Sequence, residues 1–263
     1  MKNRTLGTAL GLALAATYCV NALAAETALY HHMHLTATSA EAGAKWYAEH
    51  FGDIKKARGN MTSIGSTAFI FFEKEAGFPG SRGSAVDHIG FSVPDIEAKI
   101  KELKEASVKV VSGVQPVLDF KIAHVEDPWG TYIQLIEDPD RLGFHHIHLH
   151  SPDADATIKW YQKMFGGEIK DSFKGIDTLK TISYGKDGLM LMIEQNSEAK
   201  EPTRNRSIDH LGWSFMDLDA AAERLKSNGV NFTMDPTPYH TVRIAFLDGP
   251  EGVNIELVEP PSK

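Results

Sequence analysis

Cysteine is almost absent from this sequence: the single one, Cys19, lies in an uncharged apolar run from Leu6 to Val20. Lys2 and Arg4 precede that run and Ala22-Leu23-Ala24 follows it, giving the basic start, short apolar stretch and small-x-small ending of a secretory signal peptide. The run falls short of the ~20 apolar residues a spanning helix needs, which argues for cleavage over a membrane anchor. Residues 1–24 are therefore expected to be removed, leaving a periplasmic or secreted chain with no cysteine, no disulfide staple and no membrane attachment. A basic surplus is missing too: 27 Lys and Arg stand against 35 Asp and Glu, a formal net charge of −8. Neutralising phosphates takes a basic patch, so a nucleic-acid partner is excluded. Low-complexity tracts and heptads are also absent, and the length suffices for two globular domains, each able to bury a core.

What the sequence does have is an internal repeat. His31-His32-Met33-His34-Leu35, Lys45-Trp46-Tyr47 and Phe51-Gly52 return as His145-His146-Ile147-His148-Leu149, Lys159-Trp160-Tyr161 and Phe165-Gly166. Val86-Asp87-His88-Ile89-Gly90 returns as Ile208-Asp209-His210-Leu211-Gly212, and Trp129-Gly130-Thr131-Tyr132-Ile133-Gln134-Leu135 as Glu251-Gly252-Val253-Asn254-Ile255-Glu256-Leu257. Three ordered matches establish a duplication. Each copy divides again, because His32, His88, His146 and His210 all stand near the start of an alternating run that leads into a helix. Thr38-x-x-Glu41 reads as a capping box for the first helix, and Ser151-Pro152-Asp153 as the start of the third. Ile96/Ile100/Leu103 and Leu218/Ala222/Leu225 give the other two helices their apolar faces, and Asn228-Gly229 closes the last. The expected architecture is α+β: four βαβββ units, two per domain, over residues 27–138 and 143–260.

Strand alternation fixes the face of each histidine. His32, His34 and Thr36 oppose Met33, Leu35 and Ala37; His88 and Gly90 oppose Ile89 and Phe91; His146, His148 and His150 oppose Ile147 and Leu149; His210 and Gly212 oppose Leu211 and Trp213. Each unit thus has an apolar face for its helix, which includes Trp213 and Phe215, and a polar histidine face expected to lie outside the core. His31 and His145 read as solvated or hydrogen-bonded residues rather than ligands. Two imidazoles and one carboxylate on a common face form a facial triad with open positions, a set that suits Fe(II), Mn, Ni or Zn.

These residues resemble the vicinal oxygen chelate superfamily of glyoxalase I, fosfomycin- and bleomycin-resistance proteins, methylmalonyl-CoA epimerase and extradiol dioxygenases, and the resemblance covers the whole mature chain. It implies two half-barrel domains whose metal is held by one histidine from each of two first strands and by a late-strand Glu after a turn. Carried over, that gives His146, His210 and Glu256 as the complete site of the second domain. The first domain would keep a weaker site of His32, His88 and Gln134, a neutral amide standing where the carboxylate should be. The divalent ion would chelate adjacent oxygens of a small oxygenated substrate, for lyase, isomerase or dioxygenase chemistry. The tyrosine that extradiol enzymes place before the Glu ligand is Phe246 here, with His124 at its counterpart in the first copy. His148 and His150 on the ligand face, His240, and Glu194 with its counterpart Glu73 are the candidate acid-base or accessory groups. Non-catalytic sequestration of a ligand, of the bleomycin-resistance kind, is the other class the resemblance allows. A homodimer is compatible with either.

Overall fold

The computed structural model describes residues 28–170, 175–184, 189–198 and 201–261. The signal peptide expected over residues 1–24, with Cys19, lies outside the described residues.

The four units appear in chain order. The first is β1 (Leu29–Ala37), α1 (Ala40–Phe51), β2 (Met61–Ile64) and β3 (Thr67–Glu73); the second is β4 (Val86–Ser92), α2 (Ile96–Glu105), β5 (Lys109–Val117), β6 (Phe120–Glu126) and β7 (Tyr132–Ile136). The third is β8 (Gly143–Ser151), α3 (Ala154–Phe165), β9 (Glu168–Lys170), β10 (Leu179–Ser183) and β11 (Met190–Gln195). The fourth is β12 (Ile208–Ser214), α4 (Leu218–Ser227), β13 (Phe232–Tyr239), β14 (Val242–Asp248) and β15 (Asn254–Glu259). Among the described residues the first unit has one strand fewer, a 3-10 turn at Ile54–Lys56 following its helix. Both expected caps move. Ser39 rather than Thr38 caps α1, accepting from the Ala42 amide, because Thr38 instead accepts from Trp129 Nε1. Asp153 caps α3 through the Ala156 amide, while Ser151 accepts from the Asp153 amide one turn earlier.

Sheet pairing departs from the sequential domains. One seven-stranded sheet runs β13-β14-β15-β12-β1-β3-β2, and one eight-stranded sheet runs β5-β6-β7-β4-β8-β11-β10-β9. The first unit therefore joins the fourth, and the second joins the third. Each union is an antiparallel pair of first strands, β1 with β12 and β4 with β8. The residues 27–138 and 143–260 do not each close a sheet of their own.

Sequential units meet instead through their helices. Phe51 of α1 stacks on Phe91 of β4 at 4.1 Å, and Phe165 of α3 stacks on Trp213 of β12 at 4.6 Å. Each contact bridges the two sheets, so one core runs through both. Burying such a ring contributes roughly 1.5–3 kcal/mol, and a good ring pair about 0.5–1.5 kcal/mol beyond that. The apolar strand faces, with Trp213 and Phe215, pack here as the alternation implies.

Candidate metal centre

Because β1 lies beside β12, the register sets His32 opposite Gly212 and His34 opposite His210. The parallel neighbour β15 brings Glu256 level with Gly212. Glu256 Oε2 lies 2.8 Å from His210 Nε2, 3.0 Å from His32 Nε2 and 4.0 Å from His34 Nε2. All four side chains are buried, which corrects the expectation that the histidine face stays out of the interior. Gly212 makes this possible: a Cβ there would stand 2.1 Å from His32 Cε1, so the imidazole lies flat over the bare backbone of the opposite strand.

Asp209 accepts from His210 Nδ1 at 2.7 Å and is itself held by the Asn205 amide and the Asn254 side chain. That bond fixes the tautomer and aims Nε2 at the centre. Burial pushes His210 down, but the hydrogen bonds to Asp209 and Glu256 outweigh it and leave its pKa raised. Burial raises Glu256 as well, yet the bonds from His210 and His32 hold its pKa below the usual carboxylate range. His34 is driven down to about 2 by burial and then by His210 and His32, and its Nδ1 has no partner. Its ring is clamped between Phe72 at 4.2 Å and His210 at 4.3 Å. An imidazole gripped by two carboxylates carries a proton where a dication would serve both. Donors about 3 Å apart are also the spacing of neighbouring ligands around an ion with bonds of roughly 2.1 Å. The residues fit a divalent metal.

The eight-stranded sheet repeats the plan with different chemistry. His146 lies opposite Gly90, His148 opposite His88, and Gln134 level with Gly90. A Cβ on Gly90 would come within 2.1 Å of His146 Cε1. Asp87 orients His88 as Asp209 orients His210. Gln134 bonds His124, which also meets Ser112. His88 Nε2 and His146 Nε2 are buried without partners, and burial lowers both rings, His88 to about 3.

The expected ligand sets are therefore regrouped. His210 and Glu256 meet, but with His32 and His34 and not with His146. His88 and Gln134 lie with His146 and His148, not with His32. Both corrections have one cause, the pairing of β1 with β12 and of β4 with β8. The carboxylate-bearing centre draws on both halves of the chain. His31 Nδ1 contacts His32 Nδ1, and buried His145 links His146 to Asp138, in line with hydrogen-bonded rather than ligating roles.

Glu194 lies 3.1 Å from both His148 and His150 at the edge of the second centre. Glu73 is not its counterpart: Glu73 pairs with Ala37, whereas the position matching Glu194 is Phe72, opposite Thr36. On β3, Ala68, Ile70 and Phe72 share the face of His32, His34 and Thr36, so no carboxylate reaches the first centre from that strand. His240 turns the β13–β14 hairpin with φ of 50° and is exposed. Phe246, four residues past the start of β14, is the one that faces Glu256; His240 is thus roughly 20 Å away along the strand and outside the centre. Sequence reasoning passed over the roles of Asp87, Asp209, Gly90 and Gly212, although the repeated Asp-His-x-Gly carried all four.

The family model described as Glyoxalase/Bleomycin resistance protein/Dioxygenase superfamily matches residues 29–135 and again 143–257. The chain is 27% identical over 164 residues to a probable chloroplastic lactoylglutathione lyase of Arabidopsis thaliana, covering 59% of this chain and about half, 47%, of that protein. It is also 27% identical over 124 residues to a lactoylglutathione lyase of Neisseria meningitidis serogroup B, covering 44% of this chain and 90% of that one. Glyoxalase I from Zea mays shares the fold with a TM-score of 0.71 at 20% identity, over 89% of this chain and 92% of its own. A putative dioxygenase from Bacillus subtilis does so at 0.62 and 14% identity, over 90% and 86%. With its two matched segments covering most of its length, the chain belongs to the glyoxalase/bleomycin resistance protein/dioxygenase superfamily.

Proposed function

We propose that the chain is a metal-dependent lyase or isomerase in which His32, His210 and Glu256, with His34 as a fourth group, hold one divalent ion. The observation that carries this reading is the convergence of three buried imidazoles on the buried Glu256 carboxylate. Bound there, the ion supplies Lewis-acid polarisation of two adjacent substrate oxygens, which acidifies the neighbouring C–H. Asp209 keeps His210 in the ligating tautomer. His34 stays neutral through the working pH range, which suits a lone-pair donor better than a proton carrier. Three nitrogens and one oxygen favour Ni or Zn over Mn.

Phe246 faces Glu256 and packs its ring on His210 at 5.1 Å, offering no hydroxyl where ring cleavage would use one. Together with relatives named lactoylglutathione lyase, that supports lyase or isomerase chemistry over dioxygenase chemistry. The substrate class is a small molecule with two adjacent oxygens, with thiol adducts of 2-oxoaldehydes the first to try. Residues 1–24, read as a signal peptide, support action in the periplasm or outside the cell.

The test is anaerobic purification with metal analysis, then turnover of thiol–2-oxoaldehyde adducts and of catechols. His32→Ala and Glu256→Ala are expected to lose the tight ion and turnover, whereas His146→Ala keeps both. Loss of both in His146→Ala alone overturns the ligand assignment. Tight ligand binding with no turnover across the panel replaces the enzyme with a sequestering protein.

A further inference from the structure

We infer that His148, His150 and Glu194 form a second metal site, a two-histidine, one-carboxylate triad at the rim of the eight-stranded sheet. The site does not depend on the activity proposed above. His148 and His150 are two residues apart on β8 and so project from the same face, and the parallel strand β11 sets Glu194 directly opposite His150. Both Nε2 atoms stand 3.1 Å from the same Glu194 oxygen, Oε2. That is close to the ~3 Å between neighbouring donors of an ion with bonds of roughly 2.1 Å. All three donor atoms lie within 4.8 Å of one another.

The repeat provides an internal control. At the three matching positions the seven-stranded sheet carries His34, Thr36 and Phe72, and Phe72 stacks on His34. Two replacements separate the copies, Thr36 against His150 and Phe72 against Glu194, and together they supply the two missing donors. Neither the fold nor the register demands them, since the other sheet is built without them.

The setting suits an exchangeable ion. The Glu194 side chain is 45% exposed while His148 is 9% and His150 14% exposed, so the triad has two sheltered nitrogens and an open oxygen side. His150 Nδ1 is buried without a hydrogen-bond partner, 3.9 Å from Asp87 Oδ1. A slight turn of the ring on ligation would bring that nitrogen onto the aspartate, the orienting arrangement that Asp209 gives His210. Two imidazoles, one carboxylate and open positions select a borderline dication such as Zn2+, Ni2+ or Co2+.

Titrating the metal-stripped full chain with Zn2+ by calorimetry, and with Co2+ by absorption, tests the assignment. Glu256→Gln removes the carboxylate of the first centre, so that only the eight-stranded sheet is read. In that background one ion is expected to bind. Adding His150→Ala or Glu194→Gln should weaken it at least ~100-fold, more than loss of an outer-sphere partner costs, while adding His146→Ala should leave it in place. Unfolding of each metal-stripped variant, followed by circular dichroism, should match its parent, separating ligand loss from misfolding. Unchanged affinity in both the His150 and Glu194 variants overturns the site. So does loss of the ion in His146→Ala with retention in Glu194→Gln, which would move it inward to His88, His146 and His148.

Discussion

Gly212→Ala adds one methyl group and should dismantle the carboxylate-bearing centre. The backbone of Gly212 is not in the left-handed region, so alanine there is not strained by conformation. The conflict is purely steric: the new Cβ meets His32 Cε1 at 2.1 Å, Nδ1 at 2.4 Å and Nε2 at 2.6 Å. Carbon contacts relax at about 3.5 Å, so the ring must retreat by roughly 1.4 Å. His32 sits on a strand hydrogen-bonded on both sides, so the ring swings away from Glu256 rather than taking the strand with it. Overpacking of this kind costs about 1–3 kcal/mol, or ~2–12 °C in Tm for a chain of this size. Removing one of the four proposed ligands should weaken the tight ion at least ~100-fold, since even outer partners are worth 10- to 100-fold. Gly90→Ala, the same change against His146, is the matched control, expected to lose similar stability and keep the tight ion. Competition titration against a chelator, with Tm of the metal-stripped proteins alongside, reads both quantities. Tight binding retained in Gly212→Ala, or lost equally in Gly90→Ala, would refute the reasoning.

Asp127 is fully buried, accepting from the Trp129 and Thr131 amides and from the Tyr47 hydroxyl, and burial pushes its pKa up to about 6 from 3.8. The folded state thus holds this proton more tightly than the unfolded chain, and its contribution is lost as pH rises from about 4 through about 6, worth roughly 3 kcal/mol. Asp127→Asn keeps the acceptor and can donate to Tyr47, so its Tm should exceed that of the parent at pH 7 and converge with it near pH 4; a lower Tm at pH 7 would count against this. Export predicts that intact-mass analysis of protein from the periplasmic or secreted fraction gives a chain starting near Ala25, and a mature chain still starting at Met1 would sink it.

The repeat made the units legible, because the alternating faces recur on every first strand, with Asp-His-x-Gly on β4 and β12 and His-His-x-His on β1 and β8. Which unit pairs with which was not legible, for the same reason. β4 and β12 carry nearly the same edge pattern, so the sequence leaves β1 free to join either; in the structure it joins β12, with Phe51 packed on Phe91 and Phe165 on Trp213. His210 and Glu256 are legible together because both belong to one unit, whereas His32 and His34 are not, because they reach the same centre from another. Glu73 shows a finer limit. It matches Glu194 by eye as the acid ending a strand, but a one-residue step in register turns it to the other face, where it accepts from the Ala40 amide.

His32 and Glu256 are 224 positions apart, yet they share one site. The residues between them include all of the eight-stranded sheet, which can zip up from a single contiguous stretch of chain. The seven-stranded sheet cannot: β1, made first, must wait for β12 and β15, made last. Long-range pairing of this kind is slow, and it leaves the edge of β1 open until the C-terminal strands arrive. A chain clipped before β15 can still build the eight-stranded sheet but lacks the carboxylate that Glu256 supplies to the other.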